Sequence, residues 1–412
     1  MRGVKQARTV LLSLAAFVSV FATLAGFASA TPRHPARPHV TCGQIAHRHK
    51  PTHAGRRKVT CRHAARRAKH HRRAAAKPRS AAGRTADSAA SAGATTVPLF
   101  SPTSVWNRAV PASAAIDPKS ASITAYLYSF VSTSETQGIG PWINTTNYST
   151  PIYTVPANQP TLPVALDYNP AALSQAFAAV PIPSGAKPAV GSDAQMTIYQ
   201  PSTDTMWEMW EMRQDASGRW HAGWGGRMVH VSSNPGYYRN VPGPSGNVLE
   251  QSSWGATASS LPIAAGLITL SDLASGHINH AVAMMVPKAK AKVFYCPAQR
   301  TDGYDTSASA IPEGAHFRID PGLDLSEVSM PPITRMIAEA AQKYGLIVND
   351  QTGVTVGFRA QDPMPLIRAG AVNPYGTYFA NRATGQYVYP TQFLASFPWS
   401  HLQLLAPPAT CS

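Results

Sequence analysis

In the stretch from Thr205 to Met212, TMWEMWEM, Glu208 and Trp210 are two residues apart. Alternate side chains of a β-strand share a face, so Glu208 and Trp210 would project on the same side. A carboxylate beside an indole suits sugar binding, because the ring packs against C–H groups and the carboxylate accepts hydroxyl hydrogen bonds. Apolar neighbours would also raise the pKa of a carboxyl that acts as an acid or base. The alternative is that Glu208 faces solvent while the tryptophans lie in the core.

Hydrolysis of a glycosidic bond requires two carboxyl groups that flank it. Asp193, in the sequence GSDA, and Asp350, after the apolar run LIV, are the candidates for the second group because each adjoins an apolar run. Asp204 is a weaker candidate, since acids favour turns. For each of these aspartates an ordinary turn residue is the alternative.

His280 and Arg318 are candidates for supporting roles. The segment 276–280, GHINH, has two histidines but no placed carboxylate, so we expect no metal site there. His280 would be an auxiliary base or, alternatively, a core histidine with satisfied hydrogen bonds. Arg318 would pair with a substrate carboxylate or, as we favour, with a structural partner.

Trp210 and Trp224 are the predicted platforms on which a sugar would stack. The sequence contains no nucleophile elbow and no Walker, dinucleotide-binding or HExxH pattern. We therefore expect no cofactor.

The elements that must position these residues are mainly strands. Short runs rich in Val, Ile, Tyr and Trp are separated by Pro and Gly, and such runs predict many short strands. The predicted strands are 151–155, 196–200, 206–212, 220–224, 228–231, 278–287, 292–295, 315–320 and 354–358. This spacing is typical of an antiparallel β-sandwich or jelly roll. We therefore predict a mainly β, jelly-roll-like domain with a few helices.

Two helices are expected, over 271–275 and 331–344. Ser271 would be the N-cap of the first helix and Gly276 its stop. The second helix would have proline in its first turn, one apolar face, and Gly345 at its end.

Charge divides the chain into regions. Residues 1–30 have three bases before an apolar run and end in Ala-Ser-Ala, which predicts a cleaved secretory signal rather than a membrane anchor. Residues 31–90 hold 16 Lys or Arg against one acid, and so 31–96 is predicted to be a disordered linker. The remaining chain is slightly acidic, and 97–412 would form one globular domain. The sequence pI of about 9.9 therefore describes a tail rather than the domain.

The partner predicted for the basic linker is an anionic polymer, such as wall teichoic acid, an acidic polysaccharide or extracellular nucleic acid. No aromatic residue lies between its bases, so we expect no specific nucleic-acid binding. The alternative is a solvated spacer without a partner. No later apolar segment is long enough to span a membrane.

Four cysteines are consistent with an oxidising compartment. Three pairings are possible, and the positions favour Cys42–Cys61 and Cys296–Cys411.

From residue 106 to about residue 362 the chain resembles a family of secreted bacterial proteins without an established activity. The resemblance rests on VPIPSGA (180–186), Ser-Asp (192–193), MWE (206–208), WHAGW (220–224), WGATA (254–258), LPIAAGL (261–267), GHINHA (276–281) and KYGLIVND (343–350). It implies a β-rich secreted domain whose recurrent positions include Asp193, Glu208, His280 and Asp350. Relatives carry a second arginine near Arg318 where this chain has a histidine.

Together these patterns predict a secreted protein that acts on a polysaccharide or cell-wall glycan by hydrolysis or elimination. Glu208 and Asp193 would be the acid and base, with Asp350 as a further candidate. The alternative is a non-catalytic protein that binds glycans at the cell surface.

Overall fold

The computed structural model describes residues 99–168, 171–238, 255–380 and 392–408. Within these ranges the chain is mostly sheet, with fifteen short strands and five α-helices. The helices are α1 Ser120–Thr136, α2 Ala171–Ala176, α3 Leu270–Ser275, α4 Pro332–Lys343 and α5 Met364–Arg368. The strands are β1 Trp142–Asn144, β2 Ile152–Thr154, β3 Val164–Leu166, β4 Met196–Gln200, β5 Thr205–Trp210, β6 Arg213–Gln214, β7 Trp220–Ala222, β8 Trp224–Val229, β9 Val282–Val286, β10 Ala289–Phe294, β11 Ile311–Glu313, β12 His316–Ile319, β13 Leu346–Gln351, β14 Gly357–Arg359 and β15 Leu402–Leu404.

The largest sheet has six strands in the order β1-β14-β9-β13-β12-β15. Strand β9 runs parallel to β13 and antiparallel to β14. Every residue of β9, VAMMV, is buried, as expected for a central strand that is covered on both faces. Helix α4 packs against β9 and β12, and α1 packs against β15. This sheet therefore forms a rigid base for residues at the ends of β13 and β14.

A second sheet, β2-β4-β5-β8, carries the TMWEMW sequence on β5. The first five residues of β5 are all buried, because separate apolar clusters cover its two faces. Met206 belongs to one cluster, whereas Trp207 and Met209 belong to the other. A three-stranded sheet, β3-β7-β6, and a pair, β10-β11, complete the strand pairing among the described residues.

The prediction of a mainly β fold with few helices is confirmed. Its antiparallel part is wrong for these sheets, which are mixed: the pairs β1/β14, β9/β13, β2/β4, β3/β7 and β10/β11 are parallel. A sandwich or jelly-roll arrangement is not confirmed and stays a prediction. The signal, the basic linker, Cys42, Cys61 and Cys411 lie outside the described residues, so the disulfide pairing also stays a prediction.

Of the five helices, one lies where it was predicted, one needs a correction, and three, α1, α2 and α5, were not predicted. Helix α4 lies where it was predicted, and Gly345 follows it at φ +92°, where an added Cβ would overlap the His316 ring. Helix α3 begins one residue earlier than predicted, and its N-cap is Thr269, which forms a capping box with Asp272. The prediction of Ser271 as N-cap is therefore wrong.

Helix α1 was not predicted, because its sequence is rich in Ser, Thr and β-branched residues that have low helix propensity. The signal that could have revealed it is an apolar stripe. Ile123, Leu127 and Val131 recur every four residues, and all three are buried against the core.

Candidate functional site

Asp193 lies in the turn before β4, held against the end of β5. The amide of Glu211 donates to the Asp193 carbonyl over 2.7 Å, and the amide of Met212 donates to the Ala194 carbonyl over 3.1 Å. Glu211 has φ +55°, so β5 ends at Trp210 and the chain turns there. The prediction that the strand continues to Met212 is therefore wrong. The turn brings Asp193, Trp210 and Glu211 to one place.

Burial raises the pKa of the Asp193 carboxyl. The negative charge of Asp350 raises this pKa further. The positive charge of Arg359 lowers it, and so, more weakly, does a hydrogen bond from the Trp210 side chain. Gln195 Nε2 lies 3.4 Å from Asp193 Oδ2. Asp193 is thus a partly buried acid that responds to charges on the six-stranded sheet.

Asp350 lies on β13 and interacts electrostatically with Asp193. The register of β13 against β9 is irregular between Val348 and Asp350, which displaces Asp350 from its regular position in the ladder. Arg359 of β14 donates from Nη2 to Asp350 Oδ2 over 2.6 Å, and their side chains are 3% and 18% exposed, respectively. Two of the predicted carboxyls, Asp193 and Asp350, are therefore close enough for their charges to interact.

An aromatic surface adjoins Asp193 and Glu211. The rings of Tyr168 and Trp210 stack, with centroids 6.0 Å apart, and Tyr168 is 56% exposed. A Cβ built on Gly223 would lie 2.5 Å from Glu211 Oε2, 3.0 Å from the Tyr168 ring and 3.1 Å from the Trp210 ring. Gly223 is fixed there because its amide donates to the Trp210 carbonyl over 2.8 Å and its carbonyl accepts from the Tyr168 amide over 3.2 Å. We call Asp193, Tyr168, Trp210 and Glu211 the aromatic–acidic surface.

Trp224 is the second predicted sugar platform. It pairs directly with Trp210 across β5 and β8 and is half-buried. Both predicted tryptophans therefore lie at the same end of the second sheet, with Tyr168 beside them.

Glu208 lies in the core. It has no exposed surface, and its Oε1 accepts from the Ala264 amide over 2.8 Å while Oε2 accepts from the Tyr238 hydroxyl over 3.2 Å. Burial raises the pKa of Glu208 to about 7, although hydrogen bonds from Ala264, Ile263, Tyr238 and Ala256 favour its charged form. A fully enclosed carboxyl cannot touch a sugar at the surface, so the structure does not bring Glu208 into the site with Asp193.

His280 lies in a different place again. Its Nδ1 donates to the Ala281 carbonyl over 2.9 Å, and its Nε2 lies 3.2 Å from Asp272 Oδ2. Burial alone would lower the pKa of His280, but the hydrogen bond and charge of Asp272 and the Ala281 carbonyl raise it overall. Both residues line a cavity of about 280 Å³, whose lining includes neither Asp193 nor Asp350.

Arg318 has structural partners. Its guanidinium is buried, with Nε donating to Gln403 Oε1 over 3.0 Å and Nη1 donating to the Pro111 carbonyl over 2.8 Å. The structure therefore does not place Arg318 where a substrate carboxylate would reach it.

Several neighbours of the site had no clear signal in the sequence. Tyr168 and Arg359 reach it only through tertiary packing. Behind Asp350, burial and the charge of Asp350 raise the pKa of Asp302 to about 6, and burial raises the pKa of Glu313 well above its usual range. Burial lowers the pKa of Arg300 in the same cluster to about 9. Of these three neighbours of Asp350, Glu313 is fully buried, whereas Arg300 is half-buried and Asp302 is exposed.

Among the residues described, no three His, Cys, Asp or Glu side chains are arranged to hold a metal ion. In the same part of the chain, no helix has the length and apolar character needed to cross a membrane.

Comparison of the chain with protein families, with curated proteins and with solved structures found no match. The functional interpretation therefore depends on the geometry of the site itself.

Proposed function

We propose that this protein is secreted and that its aromatic–acidic surface binds a glycan and hydrolyses a glycosidic bond. The observation that carries the proposal is the stacking of the Tyr168 and Trp210 rings beside the partly buried Asp193, whose carboxyl also interacts electrostatically with Asp350 of β13. Exposed rings offer a flat face for sugar C–H groups, and the carboxyls supply acid and base.

The two carboxyls have different surroundings, since Asp350 is paired with Arg359 and Asp193 has no ion pair within the described residues. Burial raises the pKa of Asp193, which suits the role of general acid. Asp193 would protonate the glycosidic oxygen as the C–O bond breaks. Asp350, in its ion pair with Arg359, would accept the proton from the water whose oxygen bonds to the anomeric carbon. Glu208 and His280 have no part in this scheme.

A second candidate function is glycan binding without catalysis. The observation that favours it is the 2.6 Å contact between Asp350 and Arg359, because a carboxylate held by a buried guanidinium is less available as a base. In that case Tyr168, Trp210 and Trp224 would supply the binding surface and Asp193 a hydrogen-bond acceptor.

The basic linker would hold the protein near an anionic polymer outside the cell. This role is independent of the aromatic–acidic surface, because the linker carries most of the positive charge while the following chain is slightly acidic. Signal cleavage would leave the linker at the new N-terminus.

The test of the proposed function is release of reducing ends from a panel of plant, fungal and bacterial wall polysaccharides. Asp193→Asn should lower the rate on any active substrate by about 10²- to 10⁴-fold, which is the usual contribution of a general acid. The matched control is Asp324→Asn, the same change at an exposed turn, which should keep the full rate. Full activity in Asp193→Asn would show that Asp193 is not the general acid. Binding of a polysaccharide by the unmodified protein without cleavage would favour glycan binding without catalysis.

A further inference from the structure

A cavity of about 280 Å³ beside helix α3 has no part in the proposed function, and we call it the α3 cavity. Its apolar wall includes the buried residues Phe100, Trp106 and Leu267. The exposed residues Ser275 and Asn279 also line it, so the cavity opens to solvent on their side. An apolar cavity of about 150 Å³ can hold benzene, so the α3 cavity has room for a molecule of one or two rings.

One hydrogen-bond donor in the α3 cavity has no partner. Gln361 lines the cavity and is only 6% exposed. Its Oε1 accepts from the Leu270 amide over 3.1 Å, and this contact fixes which end of the side-chain amide is the oxygen. Within the part of the chain that the structure describes, Nε2 forms no hydrogen bond, so it is left to the cavity. Buried polar groups nearly always have a partner, and here that partner has to come from inside the cavity.

A carboxylate oxygen in the same cavity is also free. Asp272 is 8% exposed, and its Oδ2 accepts from the Thr269 amide over 2.8 Å and from the Thr269 hydroxyl over 2.7 Å. His280 Nε2 lies 3.2 Å from the same oxygen, whereas Oδ1 accepts no hydrogen bond from any described residue. Both ring nitrogens of His280 face acceptors, Asp272 and the Ala281 carbonyl, so the ring is positively charged and balances Asp272. The pair has no net charge, and the cavity therefore favours a neutral ligand.

The free donor and the free acceptor are neighbours. Gln361 is held by the Leu270 amide, and Asp272 lies in the same first turn of α3. A donor beside an acceptor in an apolar cavity matches a group that offers a C=O next to an N–H, as an amide does. A sugar fits less well, because the hydroxyls around its ring would meet the apolar wall without partners.

We infer that the α3 cavity binds a neutral, planar cyclic amide or imide, such as succinimide or a pyrimidine base. The N–H of the ligand would donate to Asp272 Oδ1, its C=O would accept from Gln361 Nε2, and its ring would pack against Phe100 or Trp106. This binding is separate from glycan binding, because the cavity is lined by residues other than those of the aromatic–acidic surface.

The test is a nuclear magnetic resonance titration of the full chain with succinimide and with N-methylsuccinimide. The ligands are added up to about 10 mM, because a single small ring gives only modest affinity. The methyl group removes the N–H donor and keeps the ring and both carbonyls. N-methylsuccinimide should therefore bind at least about tenfold more weakly, since it leaves Asp272 Oδ1 buried without a partner.

Gln361→Glu tests the donor on the protein. It keeps an oxygen for the Leu270 amide but replaces the NH₂ group, so succinimide should bind at least about tenfold more weakly. The matched control Gln137→Glu makes the same change at an exposed position and should keep full affinity. Tyr168→Ala, on the aromatic–acidic surface, should also keep full affinity for succinimide. Circular dichroism should show that all three variants are folded.

Three results would overturn the inference: equal binding of the two succinimides, full affinity in a folded Gln361→Glu, or no binding of succinimide at the highest concentration. Loss of succinimide binding in Tyr168→Ala would place the ligand on the aromatic–acidic surface and would overturn it as well. If Gln361→Glu does not fold, the comparison of the two succinimides on the unmodified protein decides the question alone. None of these results bears on glycan hydrolysis, which the polysaccharide panel tests separately.

Discussion

The buried Glu208 carboxyl should make the stability of the protein depend on pH. Its pKa is about 7 in the folded chain against 4.5 for an ordinary glutamate, a difference of about 2.5 units. At about 1.4 kcal/mol per unit, the free energy of unfolding should fall by about 3 kcal/mol between pH 4.5 and pH 7. The direction follows because the folded state keeps the Glu208 proton over this range while the unfolded state has lost it. The contribution is therefore present below pH 4.5 and is lost as pH rises through 7.

Glu208→Gln isolates this contribution. The amide oxygen can still accept from the Ala264 amide, and the Tyr238 hydroxyl can turn to accept from the new NH₂ group. Urea unfolding of both proteins at several pH values should show the variant gaining about 3 kcal/mol relative to the unmodified protein from pH 4.5 to pH 8. Because Glu208 has no exposed surface, glycan hydrolysis should change little. Parallel stability curves would refute the assignment of Glu208 to a water-free core.

Three other predictions concern the cavity, the aromatic–acidic surface and the linker. His280→Gln should lower thermal stability, with the largest effect below pH 6.5. The pKa of His280 is raised in the folded state, so its protonation stabilises the fold at low pH, and this stabilisation is lost as pH rises through the pKa of the folded state. Melting curves at pH 5.5 and pH 8.5 check this prediction. Gly223→Ala should weaken glycan binding by at least tenfold, because the new Cβ overlaps Glu211 Oε2 and the rings of Tyr168 and Trp210. The control Gly376→Ala adds a Cβ in open space and should leave binding unchanged. Calorimetric titration of both variants with the glycan measures the difference. Deletion of residues 31–90 should abolish retention on a polyanion column, and retention of the intact chain should fall steeply with salt; equal retention of both forms would contradict a role for this segment.

The sequence predicted strands and helix α4 well because their signals are local. Short runs of β-branched and aromatic residues separated by proline and glycine locate β4 and the first part of β5, and an apolar pattern of period 3.6 locates α4. Helix α1 was missed because packing of its apolar stripe outweighs the low helix propensity of its Ser, Thr and β-branched residues.

The candidate site could be predicted only in part. The alternation of side chains along β5 does not reveal that Glu208 is enclosed, because both faces of this strand are covered. Asp193 and Asp350 were recognised as residues at the ends of apolar runs, but their electrostatic interaction depends on tertiary packing that no local pattern reveals. The partner of His280, Asp272, was missed because it belongs to the capping box Thr269-Leu-Ser-Asp272, whereas the N-cap was predicted two residues later, at Ser271.

The most direct test of the central claim is the structure of Asp193→Asn in complex with an oligosaccharide that the protein binds. A sugar ring should be stacked on Tyr168 or Trp210, with a glycosidic oxygen within hydrogen-bonding distance of the side chain at position 193. A sugar bound instead in the cavity beside His280 and Asp272, with the rings of Tyr168 and Trp210 uncovered, would contradict the claim.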